Sequence, residues 1–462
     1  MISIDGERLA AAAGAEVVRP GGSDGPTRAV IDSREVREGD LFFGLAGEHD
    51  DGGRFAPDAL RSDAWGVVVS PDRAREASGA DDGGAGWIFA AEEPLAALQA
   101  LARHWRRMLE CRVVGITGST GKTSVKDVCR AILPAAVHAS PENFNTEIGL
   151  PLAVLAAPEE TDVLVLEMGM RGPGQIAELC AITAPDVAVI TNVGPVHVEL
   201  LGSVEAIAAA KAEIVEALLP GGTAVVPAVP GPLEPHLDRA PKILRFGAGG
   251  DVEATWVLAE AGETDALVRT PAGEQAFKLP FVEAYNIDNA LAAIAAGVAL
   301  GYPLDGMAER APGIVFSRLR GELVELPENA ILINDSYNAN PISMRAALDH
   351  LASLRADGRR LAVLGEMREL GPEAAAYHRE IGEHARERGV ELLIGVGGLA
   401  AEYAPDEQVE DAEAAADALA AVLGPGDAVL VKGSRAIGLE RVAEKLRRDQ
   451  AGRGRDSGAA GA

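Results

Sequence analysis

The sequence predicts an α/β protein built in three parts, and three observations carry that reading. The chain has 462 residues, more than one core of about 100–200 residues accommodates. Apolar runs of strand length alternate with helical patterns over most of it, the signature of mostly parallel sheets covered by helices. One of those runs, "RVVGIT", feeds a glycine-rich turn that ends in "GKTS", as a phosphate-binding loop does between a strand and a helix.

The elements follow in order. Residues 1–106 form the first α/β part. There "AVIDSREVREGDLFFGLAG" reads as two strand-like runs around a polar turn, "WGVVVS" as a short buried strand, and "PLAALQALARHWRRML" as an amphipathic helix. Residues 107–311 form the central part, with strand-like "CRVVGIT", "TDVLVLEMG", "PDVAVITNVG" and "GTAVVPAV". Between them "GQIAELCAI" and "SVEAIAAAKAEIVEALL" are helical, Ile243 to Pro280 is strand-rich, and "NIDNALAAIAAGVAL" is helical again. Residues 312–448 carry "NAILINDS", "RRLAVLGE", "VELLIGVGG" and "DAVLVKGS", each followed by a turn or helix, which predicts a second open, Rossmann-like α/β sheet. Residues 449–462 are small and polar and are expected to be a disordered tail.

Composition narrows the function classes. Apolar residues make up 48% and charged residues 24%, an ordinary globular balance. The formal net charge of −28 repels nucleic-acid phosphates and anionic lipid, so neither is an expected partner. An anionic substrate must then meet local Lys, Arg or backbone N–H groups. The three cysteines, Cys111, Cys129 and Cys180, match no zinc spacing and read as buried, reduced thiols of a cytoplasmic chain. The start lacks the basic and apolar regions of a signal peptide, and no apolar run reaches the ~18 residues of a membrane span.

The loop Gly118, Ser119, Thr120, Gly121, Lys122, Thr123, Ser124 sits where a buried strand ends and a helix begins. Gly118 and Gly121 let the backbone approach a phosphate, and N–H groups at the helix start attract an anion. Lys122 is placed to reach the terminal phosphates and Thr123 to ligate Mg²⁺. The common G-x-x-x-x-G-K spacing would need glycine at Ile116, so the match is not strict. Glu167 ends a strand and points to the carboxyl edge of the sheet, where open α/β proteins bind ligands. Read alone, His197 fits a loop histidine or a ligand, Lys211 a solvated lysine or a site group, and Asp335 an Asx turn or a ribose acceptor. Asn143 and Asn145 lie in a polar loop before a buried helix. "GVGGLA" matches G-x-G-x-x-A, yet no clear acidic residue ends a following strand, so no nicotinamide or flavin is expected.

Taken together, "DSREVREGDLFFGLAG", "GSTGKTSVKD", "NFNTEIGLPLAVL", "LEMGMRGPGQI", "ITNVGPVHVELLGSVEAIAAAKAEI", "NDSYNANPISMRAAL", "LGEMRELG" and "VKGSRAIGLER" resemble the Mur ligases over residues 1–448. "DSYNANP" and "LGEMRELG" are most similar to the members that join D-Ala-D-Ala to a UDP-MurNAc-tripeptide; the "DNPR" of the diaminopimelate-adding members is absent. The resemblance implies a uridine-nucleotide-binding first domain, around Asp32, Ser33 and Arg34, and a central ATP-binding domain. It also implies Mg²⁺ at Thr123, Glu167, His197 and Lys211, with Lys211 carbamylated. Lys122, Lys211, His197 and Arg320 would be catalytic. Asn286 and Asn289 would face adenine, Arg320 the ATP phosphates and Asp335 the ribose. Asn143, Asn145 and Asn338 would meet substrate. The implied partners are UDP-MurNAc-tripeptide and D-Ala-D-Ala, and the expected unit is a monomer without membrane insertion. Tyr285 departs from the histidine of many relatives, "DGGRF" from a more usual Asp-Gly-His stretch, and Thr146 from a frequent asparagine. A phosphotransferase or NTPase on the same loop, a different Mur-type ligase, and a nucleotide-gated binding protein without turnover are the alternatives.

Overall fold

The structure, a computed structural model, describes residues 4–448 except 23, 48–49, 81–85, 142 and 197. His197 and the tail 449–462 therefore lie outside the described residues.

Four sheets organise the described residues. The first runs Glu16–Arg19, Trp87–Ala90, Gly66–Val69, Leu41–Phe43, Ala29–Val30, parallel except for its first strand. The two runs around the polar turn thus pair in parallel, because the turn between them winds into the short helical turn Ser33–Glu35 rather than a tight hairpin. The helix Pro94–Met108 leads out of this part. Its apolar stripe, Leu98, Leu101, Ala102 and Trp105, is buried, and Trp105 Nε1 donates to the carbonyl of Ala157 (3.1 Å) in the central part.

The central sheet is wholly parallel, in the order Lys242–Phe246, Thr223–Pro227, Val187–Ile190, Arg112–Thr117, Val163–Glu167, Val137–Ala139. Its inner strands are continuous Val, Leu, Ile and Ala because helices cover both faces. The strand Arg112–Thr117 lies between Val187–Ile190 and Val163–Glu167, so the loop that follows it opens onto the ends of both neighbours. The strand-rich stretch is a three-stranded antiparallel sheet, Glu253–Glu260, Glu263–Thr270 and Gly273–Leu279. The helix Ala284–Ala299 then packs beside the loop helix Lys122–Ile132; its alanines permit the close approach, and Gly297 makes room for Met307.

The last sheet runs Glu322–Glu325, Ile331–Asn334, Ala428–Lys432, Arg360–Gly365, Leu392–Val396, Glu407–Val409, parallel beyond its first pair. One core cluster joins the first part to one face of the central sheet, from Leu9 and Trp87 to Leu164 and Leu233. The C-terminal sheet has two clusters of its own, drawn only from residues from Val324 onward. Among the described residues no helix is long and apolar enough to cross a membrane.

Candidate active site

A cavity of about 1990 Å³ lies where the three parts meet. The first sheet contributes Thr27–Asp32, the central sheet the loop Gly118–Ser124, and the C-terminal part Arg320, Asp335, Asn338 and Lys432.

The loop is shaped by what packs beneath it. Gly118 has φ +150°, and a Cβ there would stand 1.8 Å from Thr191 Oγ1. Gly121 has φ +80°, and a Cβ would meet Asn289 Oδ1 at 2.5 Å. Both positions therefore exclude a side chain. Asn192, just past the strand Val187–Ile190, clamps the turn: its Oδ1 accepts from Thr120 N (3.0 Å) and its Nδ2 donates to Thr120 Oγ1 (2.7 Å). Ser119 Oγ and Gly194 exchange a donor each, at 3.2 and 3.0 Å.

Lys122 begins the helix Lys122–Ile132 and donates Nζ to the carbonyl of Gly118 (2.9 Å), so the ammonium lies across the loop. Loss of hydration lowers its pKa, the carboxylate of Glu167 works against that, and Arg320 adds to it. Thr123 Oγ1 donates to Glu167 Oε2 (2.8 Å) and accepts from Arg320 Nη2 (3.0 Å). Glu167 Oε1 accepts from Asn145 Nδ2 (2.8 Å), and the Glu167 backbone N–H donates to Ser140 Oγ (2.9 Å). Thr123 and Glu167 thus offer hard oxygens side by side at the sheet's carboxyl edge, the donor type a divalent cation such as Mg²⁺ takes. No group of three or more His, Cys, Asp or Glu side chains that could hold a metal ion is found among the described residues.

Lys211 lies on the helix Val204–Glu216 and is 2% exposed. Burial drives its pKa well below the ordinary lysine value, and the charge of Lys122 lowers it further. Lys211 lines the same cavity as Thr123 and Glu167, and its burial favours the neutral amine over the ammonium.

From the C-terminal part, Arg320 stacks on Tyr337, its guanidinium carbon 3.8 Å from the ring centroid. Asp335 follows the strand Ile331–Asn334 and pairs with Lys432 at 2.6 Å. Lys432 is 2% exposed; burial lowers its pKa and Asp335 opposes that. Its Nζ also donates to the carbonyl of Asn338 (2.9 Å).

Of the residues picked out in the sequence, the loop, Asn143, Asn145, Glu167, Lys211, Asn289, Arg320, Asp335 and Asn338 line the cavity. Asn286 stands behind Asn289, whose Nδ2 donates to Asn286 Oδ1 (3.1 Å). Asp32 reaches the cavity, while Ser33 and Arg34 lie off its wall; Arg34 is exposed and bound back to Asp32 at 2.5 Å. Asn192 and Lys432 were not singled out, although each follows or ends a buried strand at the same edge as the loop or Asp335. In "GVGGLA" the Leu399 N–H is taken by Glu366 Oε1 (2.9 Å), at the start of the short helical turn Leu399–Tyr403.

Comparison with known proteins agrees with this geometry. The family model "Mur ligase middle domain" matches residues 116–297, and "Mur ligase, glutamate ligase domain" matches 319–435. The UDP-N-acetylmuramoyl-tripeptide–D-alanyl-D-alanine ligase of Bacillus subtilis (strain 168) is 34% identical over 427 residues, covering 90% of this chain and 92% of the relative. The Escherichia coli (strain K12) ligase of the same name is 32% identical, covering 90% and 92%. A crystal structure of MurF from Acinetobacter baumannii superposes with a TM-score of 0.85 at 26% identity, covering 96% and 98%. MurF from Thermotoga maritima in complex with ADP does so with 0.81 at 32%, covering 92% and 98%.

Proposed function

The chain belongs to the Mur ligase family, and on that premise we propose that it is an ATP-dependent ligase that adds D-Ala-D-Ala to UDP-MurNAc-tripeptide, giving the UDP-MurNAc-pentapeptide of peptidoglycan synthesis. The observation that carries this reading is the single cavity in which the phosphate loop, the Thr123–Glu167 edge, Lys211 and the C-terminal Arg320, Asp335 and Lys432 face one another.

The loop N–H groups and Lys122 hold the β- and γ-phosphates of ATP. The terminal carboxylate of the tripeptide attacks the γ-phosphorus, ADP leaves, and an acyl phosphate forms. Charge builds on the transferred phosphoryl oxygens, so the cations Lys122 and Arg320 aimed at them lower the barrier. Bound Mg²⁺ would neutralise phosphate charge further; Thr123 and Glu167 would hold it, with a carbamylated Lys211 as a further oxygen donor. The dipeptide amine then attacks the acyl carbon, loses a proton, and expels phosphate, a far better leaving group than hydroxide. Asp335 and Asn338, from the C-terminal part, meet the ribose and substrate, and Asn289 faces adenine. Asn143 and Asn145 meet the peptide substrate, and Asp32, Ser33 and Arg34 mark the uridine end. One chain supplies every one of these groups, so the monomer is the proposed unit, working in the cytoplasm where both nucleotides are found.

Mass spectrometry tests the reading. Protein incubated with ATP, Mg²⁺, UDP-MurNAc-tripeptide and D-Ala-D-Ala should yield the pentapeptide and ADP together. ADP release that is independent of the dipeptide would point to an NTPase instead, and preferential use of a single amino acid to another Mur-type ligase.

A further inference from the structure

His350 lies on the helix Pro341–Ser353 of the C-terminal part and is 3% exposed. Among the described residues neither ring nitrogen has a hydrogen-bond partner. A buried imidazole without partners is costly, so its retention needs a reason. Its Nε2 stands 3.4 Å from Oε1 of Glu283, a buried carboxylate at the start of the central helix Ala284–Ala299. The edge of Tyr285 closes one side, with ring centroids 6.5 Å apart and an interplanar angle of 88°.

From Glu283 the contacts run inward. Glu283 Oε2 accepts from Asn286 Nδ2 (3.4 Å), Asn286 Oδ1 accepts from Asn289 Nδ2 (3.1 Å), and Asn289 Oδ1 abuts Gly121 of the phosphate loop. This series fixes which way each amide faces: with Glu283 as acceptor, Asn286 must present its oxygen to Asn289, and Asn289 its oxygen to the loop. Burial holds the imidazole below its ordinary pKa, against the pull of Glu283 and Asp335, so it carries one N–H, and the carboxylate favours that proton on Nε2.

We propose that His350 is a positioning residue for the nucleotide: it donates Nε2–H to Glu283 when the central and C-terminal parts come together, and so sets the Asn286 and Asn289 amides beside the loop. The inference rests on the nucleotide reading of this cavity. A small approach of the two parts brings the pair from 3.4 Å to the ordinary N–H···O distance of about 2.9 Å. The contact joins two parts of the chain, so it couples their closure to the grip on the base.

The test compares His350→Leu, which keeps an apolar side chain of similar bulk, with His350→Gln, which returns an N–H donor. ADP release with both substrates present gives KM for ATP and kcat, calorimetric titration with ADP gives affinity, and thermal unfolding checks the fold. His350→Leu should raise KM for ATP and weaken ADP about tenfold while kcat stays within about threefold, the scale of one hydrogen bond to a charged group. His350→Gln should stay within about threefold of wild type on all counts. Glu283→Ala should reproduce the loss, and combining it with His350→Leu should add nothing. A wild-type KM in His350→Leu, a His350→Gln as impaired as His350→Leu, or full additivity with Glu283→Ala would overturn the proposal. Should His350→Leu fail to fold, His350→Gln and Glu283→Ala decide it by the same readings. A wild-type chain that binds and hydrolyses ATP without ligating would defeat the proposed ligation, yet the KM comparison would still decide this contact.

Discussion

At the scale of single residues, the site depends on cations kept where water is scarce. Lys122→Ala should lower the ligation rate by roughly 10²–10⁴ with the fold intact, the range for removing one electrostatic catalytic group; single-turnover ADP formation measures it. Lys211 should behave differently. Burial disfavours the charged form of its amine, so, if Lys211 acts as a carbamate, Lys211→Ala should lose most activity in bicarbonate buffer, and added formate or acetate should restore part of it by supplying the missing carboxylate. Full activity of the alanine variant in bicarbonate-depleted buffer would remove the carbamate from the mechanism. Glu167 and the GKTS loop were legible in the sequence because a polar residue that ends an apolar run leaves a local signal. Lys432 also ends an apolar run, but its long stem lets the ammonium reach water from such a place, so "VLVKGS" looks alike whether its lysine is solvated or buried against Asp335. Glu283 was hidden for a related reason: its importance comes from His350, 67 residues away in the chain, and no periodicity reports such a pair.

At the scale of elements, the question is how Arg320, from beyond the central sheet, reaches Thr123. The loop helix answers it with two residues one turn apart. Asp127 Oδ2 accepts from the Ser317 N–H (2.7 Å), and Thr123 Oγ1 accepts from Arg320. The backbone on either side of Arg320 is left-handed, φ +64° at Leu319 and +77° at Gly321, so the connecting segment takes one shape. At Leu319 that conformation carries a cost which the two anchors offset. Asp127→Ala should therefore lower kcat about tenfold to a hundredfold, the loss of a hydrogen bond to a carboxylate, while Asp127→Asn, which keeps an acceptor, should lose far less. An Arg320→Ala background should absorb most of the Asp127→Ala effect if the aspartate acts through the arginine; independent, additive losses would show that it does not. Elements of this length were readable from their pattern: the runs ending at Thr117, Glu167 and Ile190 are all strands. What the pattern did not carry was their partners. The runs at Ala29–Val30 and Leu41–Phe43 pair in parallel, and the strand Glu322–Glu325 runs antiparallel at the sheet edge, because pairing is decided by chain segments far away.

For the whole molecule, the division of the cores decides what moves. The first part and one face of the central sheet share a single apolar cluster, with Trp105 of the connecting helix buried in it. The C-terminal sheet is closed by its own two clusters. Apart from Ile314 and Phe316 at its start, which pack into the central core, and the edge of Tyr285 on His350, its ties to the rest described above are polar: Ser317 on Asp127, Arg320 on Thr123, and the open His350–Glu283 pair. Polar ties break and reform at little cost, whereas splitting a shared apolar core does not, so the C-terminal part is the one free to move as a body. Without ligand, calorimetry should then show two unfolding transitions, one for the C-terminal part and one for the other two together. Nucleotide spans the boundary, since the phosphate loop and Asp335 line the same cavity. Saturating ADP with Mg²⁺ should stabilise both units, by about 2.7 kcal/mol at a hundred times Kd if it binds only the folded, closed chain, and draw the two transitions together. A single transition in the absence of nucleotide would mean that the polar ties already weld the parts into one unit, and would end the account of a clamp that closes on ATP.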